Sequence, residues 1–181
     1  MSPLNTEEKT LLLRLARKSV EAAVRNVRME LPAEVPSALR ISAGAFVSLH
    51  KQGHLRGCVG YVQPVQPLYH TVIEAARASA LHDIRFEPVR PEELRDVEIE
   101  ISVLSPLQEI HPVEVQVGGH GLMVSQGRAR GLLLPQVAVE HHWQREQFLE
   151  ETCRKADLSP DAWRRGAKVE AFTAEVFNER F

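Results

Sequence analysis

Val97-Glu98-Ile99-Glu100-Ile101-Ser102-Val103 alternates apolar and polar side chains without a break. Successive side chains of an extended strand point to opposite faces, so the branched residues line one surface and Glu98, Glu100 and Ser102 the other. One dry face and one wet face favour an antiparallel sheet, because the strands of a parallel sheet are covered on both sides. Upstream, Ala45-Phe46-Val47-Ser48-Leu49-His50 reads as a strand, Lys51-Gln52-Gly53-His54 as a hairpin turn, and Leu55 to Val62 as the returning strand. Downstream, Gly121 to Gln126 and Gly131 to Leu134 form a further pair separated by Gly127-Arg128-Ala129-Arg130. Lys168 to Phe177 alternates again and closes the chain as one strand.

Helices occupy the intervals. Asn5 or Thr6 caps the first, with Glu8 three residues after Asn5 in a capping-box arrangement. Leu12, Leu15, Ala16, Ser19, Ala23 and Val27 keep one apolar stripe, and the helix should end near Glu30, before Pro32 and Pro36. Pro67 suits the first position of a helix reaching about Leu81, with Leu68, Val72, Ala75, Ala76 and Ser79 inward. His82 to Pro88 is a connector, and Pro91-Glu92-Glu93-Leu94 a single helical turn. Pro135 interrupts; a helix carrying Phe148, Leu149, Thr152, Cys153 and Ala156 follows Trp143, and Ser159-Pro160-Asp161 begins a shorter one. Hairpins mixed with helices argue for an α+β fold with antiparallel sheets and flanking helices, not a parallel βαβ array.

The 181 residues suffice for one domain with a real core, and 44% apolar against 25% charged residues excludes wholesale disorder. Lysine and arginine total 22 against 24 acids, a balance that supplies no global field for nucleic acid or an anionic membrane. Aromatic residues make up only 6%, too few for a platform that stacks bases. No run approaches the ~20 apolar residues that span a bilayer, and the first residues lack a secretory pattern, so a cytoplasmic location is expected. Two cysteines, Cys58 in a strand and Cys153 in a late helix, suit free thiols in a reducing compartment.

Leu55-Arg56-Gly57-Cys58-Val59-Gly60 is the leading candidate for chemistry. A period of two puts Arg56, Cys58 and Gly60 on one face, with the Cα atoms of Arg56 and Cys58 about 6.5–7 Å apart. A neighbouring guanidinium favours thiolate over thiol. Gly57 and Gly60 mark close approach by a ligand or by another part of the backbone. The plainer alternative makes Cys58 a small buried hydrophobe and the glycines relief from crowding. Gly118-Gly119-His120-Gly121 offers an accessible imidazole for proton transfer, or simply an exposed turn. Glu140-His141-His142-Trp143 places a carboxylate and imidazoles at a helix entry, but adjacent histidines point about 100° apart and rarely share a metal ion. Arg85-Phe86 in the connector, and Arg128, Arg130, Arg164, Arg165 and Lys168, suit anions or are solvated charges. No HExxH, paired CxxC, EF-hand, phosphate-binding loop or serine elbow is present, so no metal and no cofactor is expected.

The segment Leu55 to Gly60 closely resembles the signature of the AMMECR family, whose prokaryotic members are also called AmmeMemoRadiSam system protein A. Asp83-Ile84-Arg85-Phe86, Val97 to Ser105, His120-Gly121-Leu122 and Gly131 to Ala138 resemble its other blocks, in its order, with Val59 where isoleucine is commonest. The resemblance runs from the first helix to Phe177, so residues 1–181 are taken as a single AMMECR-type domain. It implies a larger lobe and a smaller lobe with a cleft between them. It also implies association with a Memo-like protein, related in fold to dioxygenases, and a radical-SAM protein. It implies no reaction, and it strengthens Cys58, Arg56 and His120 as site residues.

Two functions follow. In the first, a small-molecule ligand is bound or processed, with Cys58 as nucleophile or acceptor, His120 moving protons and Glu140 assisting. Arg56, Gly57, Gly60 and Arg85 would bind the ligand. In the second, a non-catalytic adaptor docks onto the two partners through the same segment, and Cys58 merely packs.

Overall fold

The structure, a computed structural model, describes residues 3–180. The chain divides into two compact units, the first running to Leu104 and resuming at Glu175, the second Ser105–Ala174. In order the elements are α1 (Thr6–Val24), β1 (Ala45–Lys51), β2 (His54–Tyr61), α2 (Leu68–Leu81), β3 (Val97–Leu104), β4 (Gln108–Glu109), β5 (Gly121–Gln126), β6 (Ala129–Leu133), α3 (Pro135–Glu140), α4 (Arg145–Lys155), β7 (Lys168–Phe172) and β8 (Ala174–Asn178). The architecture is α+β with two sheets, and the α+β expectation holds.

In the first unit the strand order is β2-β1-β3-β8, with β1 antiparallel to both β2 and β3. The decisive alternation is realised as read. Val97, Ile99, Ile101 and Val103 are buried with Ala45, Val47 and Leu49, while Glu98 and Glu100 stay half-buried on the other face. Leu12, Ala16 and Val20 of α1 and Leu68, Val72, Ala75 and Ala76 of α2 complete this core. Burying each leucine there contributes about 1.5–3 kcal/mol. The opposite face carries Phe46, Ser48, His50 and Cys58, all partly exposed.

The asparagine cap is present as read: Asn5 Oδ1 accepts the Glu8 N–H at 2.9 Å and Glu8 accepts the Asn5 N–H at 2.8 Å. The helix ends at Val24, short of the expected Glu30. Asn26 takes φ 53°, Val27 N–H reaches Ala22 O at 2.9 Å and Asn26 N–H reaches Ala23 O at 3.1 Å. These two bonds close a Schellman motif, in which asparagine replaces the usual left-handed glycine. The stripe of apolar residues continues past the stop, but the backbone does not.

The second unit orders its strands β4-β7-β5-β6 around Leu122, Val124, Phe148, Leu149, Cys153 and Val169. Its hairpin turn is tighter than read: β6 starts at Ala129, opposite Gln126, because Gly127 supplies φ 61° at the first turn position. Pro135 opens α3 instead of ending order, since proline costs nothing at a first helical position. The run Lys168 to Phe177 is two strands, β7 in the second unit's sheet and β8 in the first unit's. No helix among the described residues is long and apolar enough to cross a membrane.

Candidate functional site

The site begins with a turn and a bulge. Gln52 and Gly53 both take positive φ, 52° and 80°, as a two-residue hairpin of the primed type requires. That turn pairs Lys51 with His54 and His50 with Leu55. The register then slips by one, so that Leu49 faces Gly57 and Ser48 faces Cys58, leaving Arg56 as the extra residue of a β-bulge. Without the slip, Cys58 would face Val47 and point into the helix-covered core, since a one-residue shift exchanges the two faces of a strand. The bulge puts the thiol on the open face.

The same bulge removes Arg56 from that face, correcting the expectation that it shares one with Cys58. Its guanidinium grips Glu93 with two bonds, Nε to Oε1 at 3.1 Å and Nη2 to Oε2 at 2.9 Å, and donates from Nη1 to the Glu87 carbonyl at 2.8 Å. Lys51 Nζ adds a bond to Glu93 at 3.0 Å. The Arg56 guanidinium, helped by the Arg90 amide and by Lys51, holds the Glu93 carboxyl down at about 2 against the opposing effect of burial.

Arg85 supplies the nearby positive charge instead. Asp83, with its side chain only 5% exposed, accepts the Cys58 N–H at 2.8 Å, and Arg85 Nη2 donates to the Cys58 carbonyl at 3.1 Å. Arg85 also binds both Asp83 oxygens, at 2.9 and 2.7 Å. Side chains thus do what a neighbouring strand would do on the free edge of β2. The Arg85 guanidinium holds the Asp83 carboxyl well below the usual carboxylate range.

On the open face Ser48 Oγ donates to Cys58 Sγ at 3.2 Å, and Ser48 is the register partner of Glu100 on β3. A thiol, a hydroxyl and a carboxylate therefore form one row across three strands. Burial pushes the Cys58 thiol above its ordinary value; the Ser48 hydroxyl and Arg85 pull it down, and Asp83 and Glu100 push it up. The thiol is protonated at neutral pH, which suits a contact better than a resting nucleophile.

Both glycines of the segment are accounted for by the chain itself. A Cβ on Gly57 would lie 2.2 Å from the Ser79 carbonyl oxygen of α2, and one on Gly60 2.2 Å from the Phe46 ring. Ser79 Oγ also accepts the Val59 N–H at 2.8 Å and lies 2.7 Å from the Val47 carbonyl, bridging two register partners.

His120 and Glu140 belong to the second unit. His120 Nδ1 accepts the Gln116 N–H at 3.2 Å, which fixes its proton on Nε2 when the ring is neutral. Glu140 is the exposed last residue of α3 and makes no hydrogen bond or ion pair among the described residues. His141 stacks on Trp143 at 4.7 Å. No cluster of three or more His, Cys, Asp or Glu side chains among the described residues is placed to hold a metal ion. The structure thus groups Cys58, Gly57, Gly60 and Arg85 and adds Ser48, His50, Asp83 and Glu100, to which the sequence reading gave no site role. The wet positions of β1 and β3 were legible as such; which of them faces Cys58 depends on the bulge.

The AMMECR1 family model matches residues 13–177. A protein of Methanothermobacter thermautotrophicus is 44% identical over 98% of this chain and 97% of its own length. One of Thermococcus gammatolerans is 46% identical over 94% of this chain and 89% of its own. The crystal structure of an uncharacterized protein from Pyrococcus horikoshii superposes with a TM-score of 0.92 at 41% identity, covering 98% of this chain and 94% of that one. The chain belongs to the AMMECR1 family.

Proposed function

We propose that this AMMECR1-family chain binds a small molecule on the open face of its first sheet, with Cys58 as a neutral thiol contact. A Memo-like protein and a radical-SAM enzyme are its working partners in this reading. The carrying observation is how much of the chain is spent on one residue. Asp83 and Arg85 hold the Cys58 peptide groups, the bulge turns its side chain outward, and Ser48 meets the thiol at 3.2 Å. A cysteine that merely packed would need none of these, and Cys153, fully buried in the second unit, has no such clamp. Native mass spectrometry of the protein purified from its own cells tests the reading. A metabolite retained by the wild type and lost from Cys58→Ala supports it. Equal retention by both, or none by either, contradicts it.

The adaptor reading also has one specific observation behind it. Ile84, between the two clamp residues, is 100% exposed. An apolar side chain fully in water beside a half-exposed arginine suits a docking contact. Co-purification of the two partners that survives Cys58→Ala but fails with Ile84→Ser favours docking.

A further inference from the structure

β2 is the end strand of its sheet. An end strand offers N–H and C=O groups that another chain can pair with, and proteins guard such edges with proline, charged side chains, bulges or a covering segment. The bulge at Arg56 breaks the edge at one end. From Gly57 to Tyr61 there is neither proline nor a charged residue, and Arg56 itself is turned onto Glu93. Leu55 and Tyr61, 40% and 39% exposed, leave apolar surface at the two ends of the strand. By its own residues this edge is open to strand addition.

What covers it is held by side chains. No backbone hydrogen bond joins the connector Asp83 to Pro88 to β2 among the described residues. Instead Asp83 accepts the outward Cys58 N–H at 2.8 Å, Arg85 donates to the Cys58 carbonyl at 3.1 Å, and Arg56 holds the Glu87 carbonyl at 2.8 Å. An N–H and a C=O on one residue, both directed away from the sheet, are the two groups that an antiparallel neighbour would exchange with its own. One aspartate–arginine pair occupies both.

We propose that the Asp83–Arg85 pair guards the β2 edge, and that the strand it keeps out is β2 of a second copy of this chain. Two copies meeting edge to edge form a self-complementary contact that closes at two chains. Each would offer the other the N–H and C=O of Cys58, with no proline to break the pairing. Nor would charge hold them apart, because Arg56 is neutralised by Glu93. The guard stands beside the role of Cys58 proposed above and does not depend on it.

Amide hydrogen exchange at Cys58, followed by NMR on the full chain at low and high protein concentration, tests this. The wild type should exchange at the same rate at both. In Asp83→Ala the amide should exchange about tenfold faster when dilute, having lost its acceptor, and become protected again when concentrated, as sedimentation shows a dimer forming. If Asp83→Ala does not fold, Asp83→Asn combined with Arg85→Ala keeps the volume, removes the ion pair and bares the Cys58 carbonyl; it is held to the same expectation. A folded variant that stays monomeric at high concentration overturns the guard. So does association that leaves the Cys58 amide unprotected, or a wild type whose Cys58 exchange already slows with concentration.

Discussion

Cys58 and the two arginines near it show how electrostatics separates residues that sequence places together. Arg56 lies two positions from Cys58 but spends its guanidinium on Glu93, whereas Arg85, remote in sequence, reaches the Cys58 carbonyl. Arg85→Ala is therefore expected to raise the alkylation midpoint of Cys58, since a positive charge that favours thiolate is lost. Arg56→Ala should leave that midpoint in place and lower stability instead. Glu100→Gln should move it down, because a carboxylate that opposes thiolate is removed. Iodoacetamide labelling against pH in the three variants checks all three directions. The sequence marked Cys58 through its flanking glycines, which the structure explains by the close approach of the Ser79 carbonyl and the Phe46 ring. It assigned the wrong guanidinium because strict alternation has no place for an extra residue.

At the level of elements, the bulge and the seat of α2 on β2 decide what the site presents. Gly57→Ala forces a Cβ to within 2.2 Å of the Ser79 carbonyl oxygen, a backbone atom that cannot swing aside. A loss of about 1–3 kcal/mol is expected from denaturant unfolding, with altered Cys58 labelling because the strand must shift. Asn26→Ala is predicted to cost about 1 kcal/mol, since alanine pays the steric penalty of the left-handed backbone at φ 53°, while Asn26→Gly should be neutral or stabilising. The helix of α1, the hairpin and the alternation of β3 were legible because each is written in local periodicity and capping. The register of Ser48 against Cys58 was not. It follows from where the extra residue sits in the pairing of two strands, and neither strand alone carries that information.

Over the whole molecule, acid sensitivity should follow from the carboxylates tied to the first unit. Glu93 is held at about 2 by Arg56, and Asp83 lies well below its ordinary value because of Arg85. Carboxyls depressed in the folded state stabilise it fully above their unfolded values, near 4.5 for Glu93, and that stabilisation is lost as pH falls toward about 2. Glu93→Gln should flatten the stability curve across that window. It should also cost about 1–3 kcal/mol at neutral pH by leaving Arg56 and Lys51 without their counter-charge and with one acceptor oxygen fewer. Chemical denaturation at a series of pH values reads both effects. The α+β class and the family kinship were within reach of sequence because they rest on several blocks in order. The final alternating run, by contrast, read as one strand, since nothing in its pattern marks Thr173 as the point between two sheets.

The account depends on Cys58 being a protonated thiol held on an open, polar sheet face. The alkylation rate of Cys58 in the native protein, measured against pH with the buried Cys153 replaced by alanine, tests this directly. The account predicts a midpoint above that of a free thiol, about 8.5. A midpoint at or below neutrality would reveal a resting thiolate and contradict it.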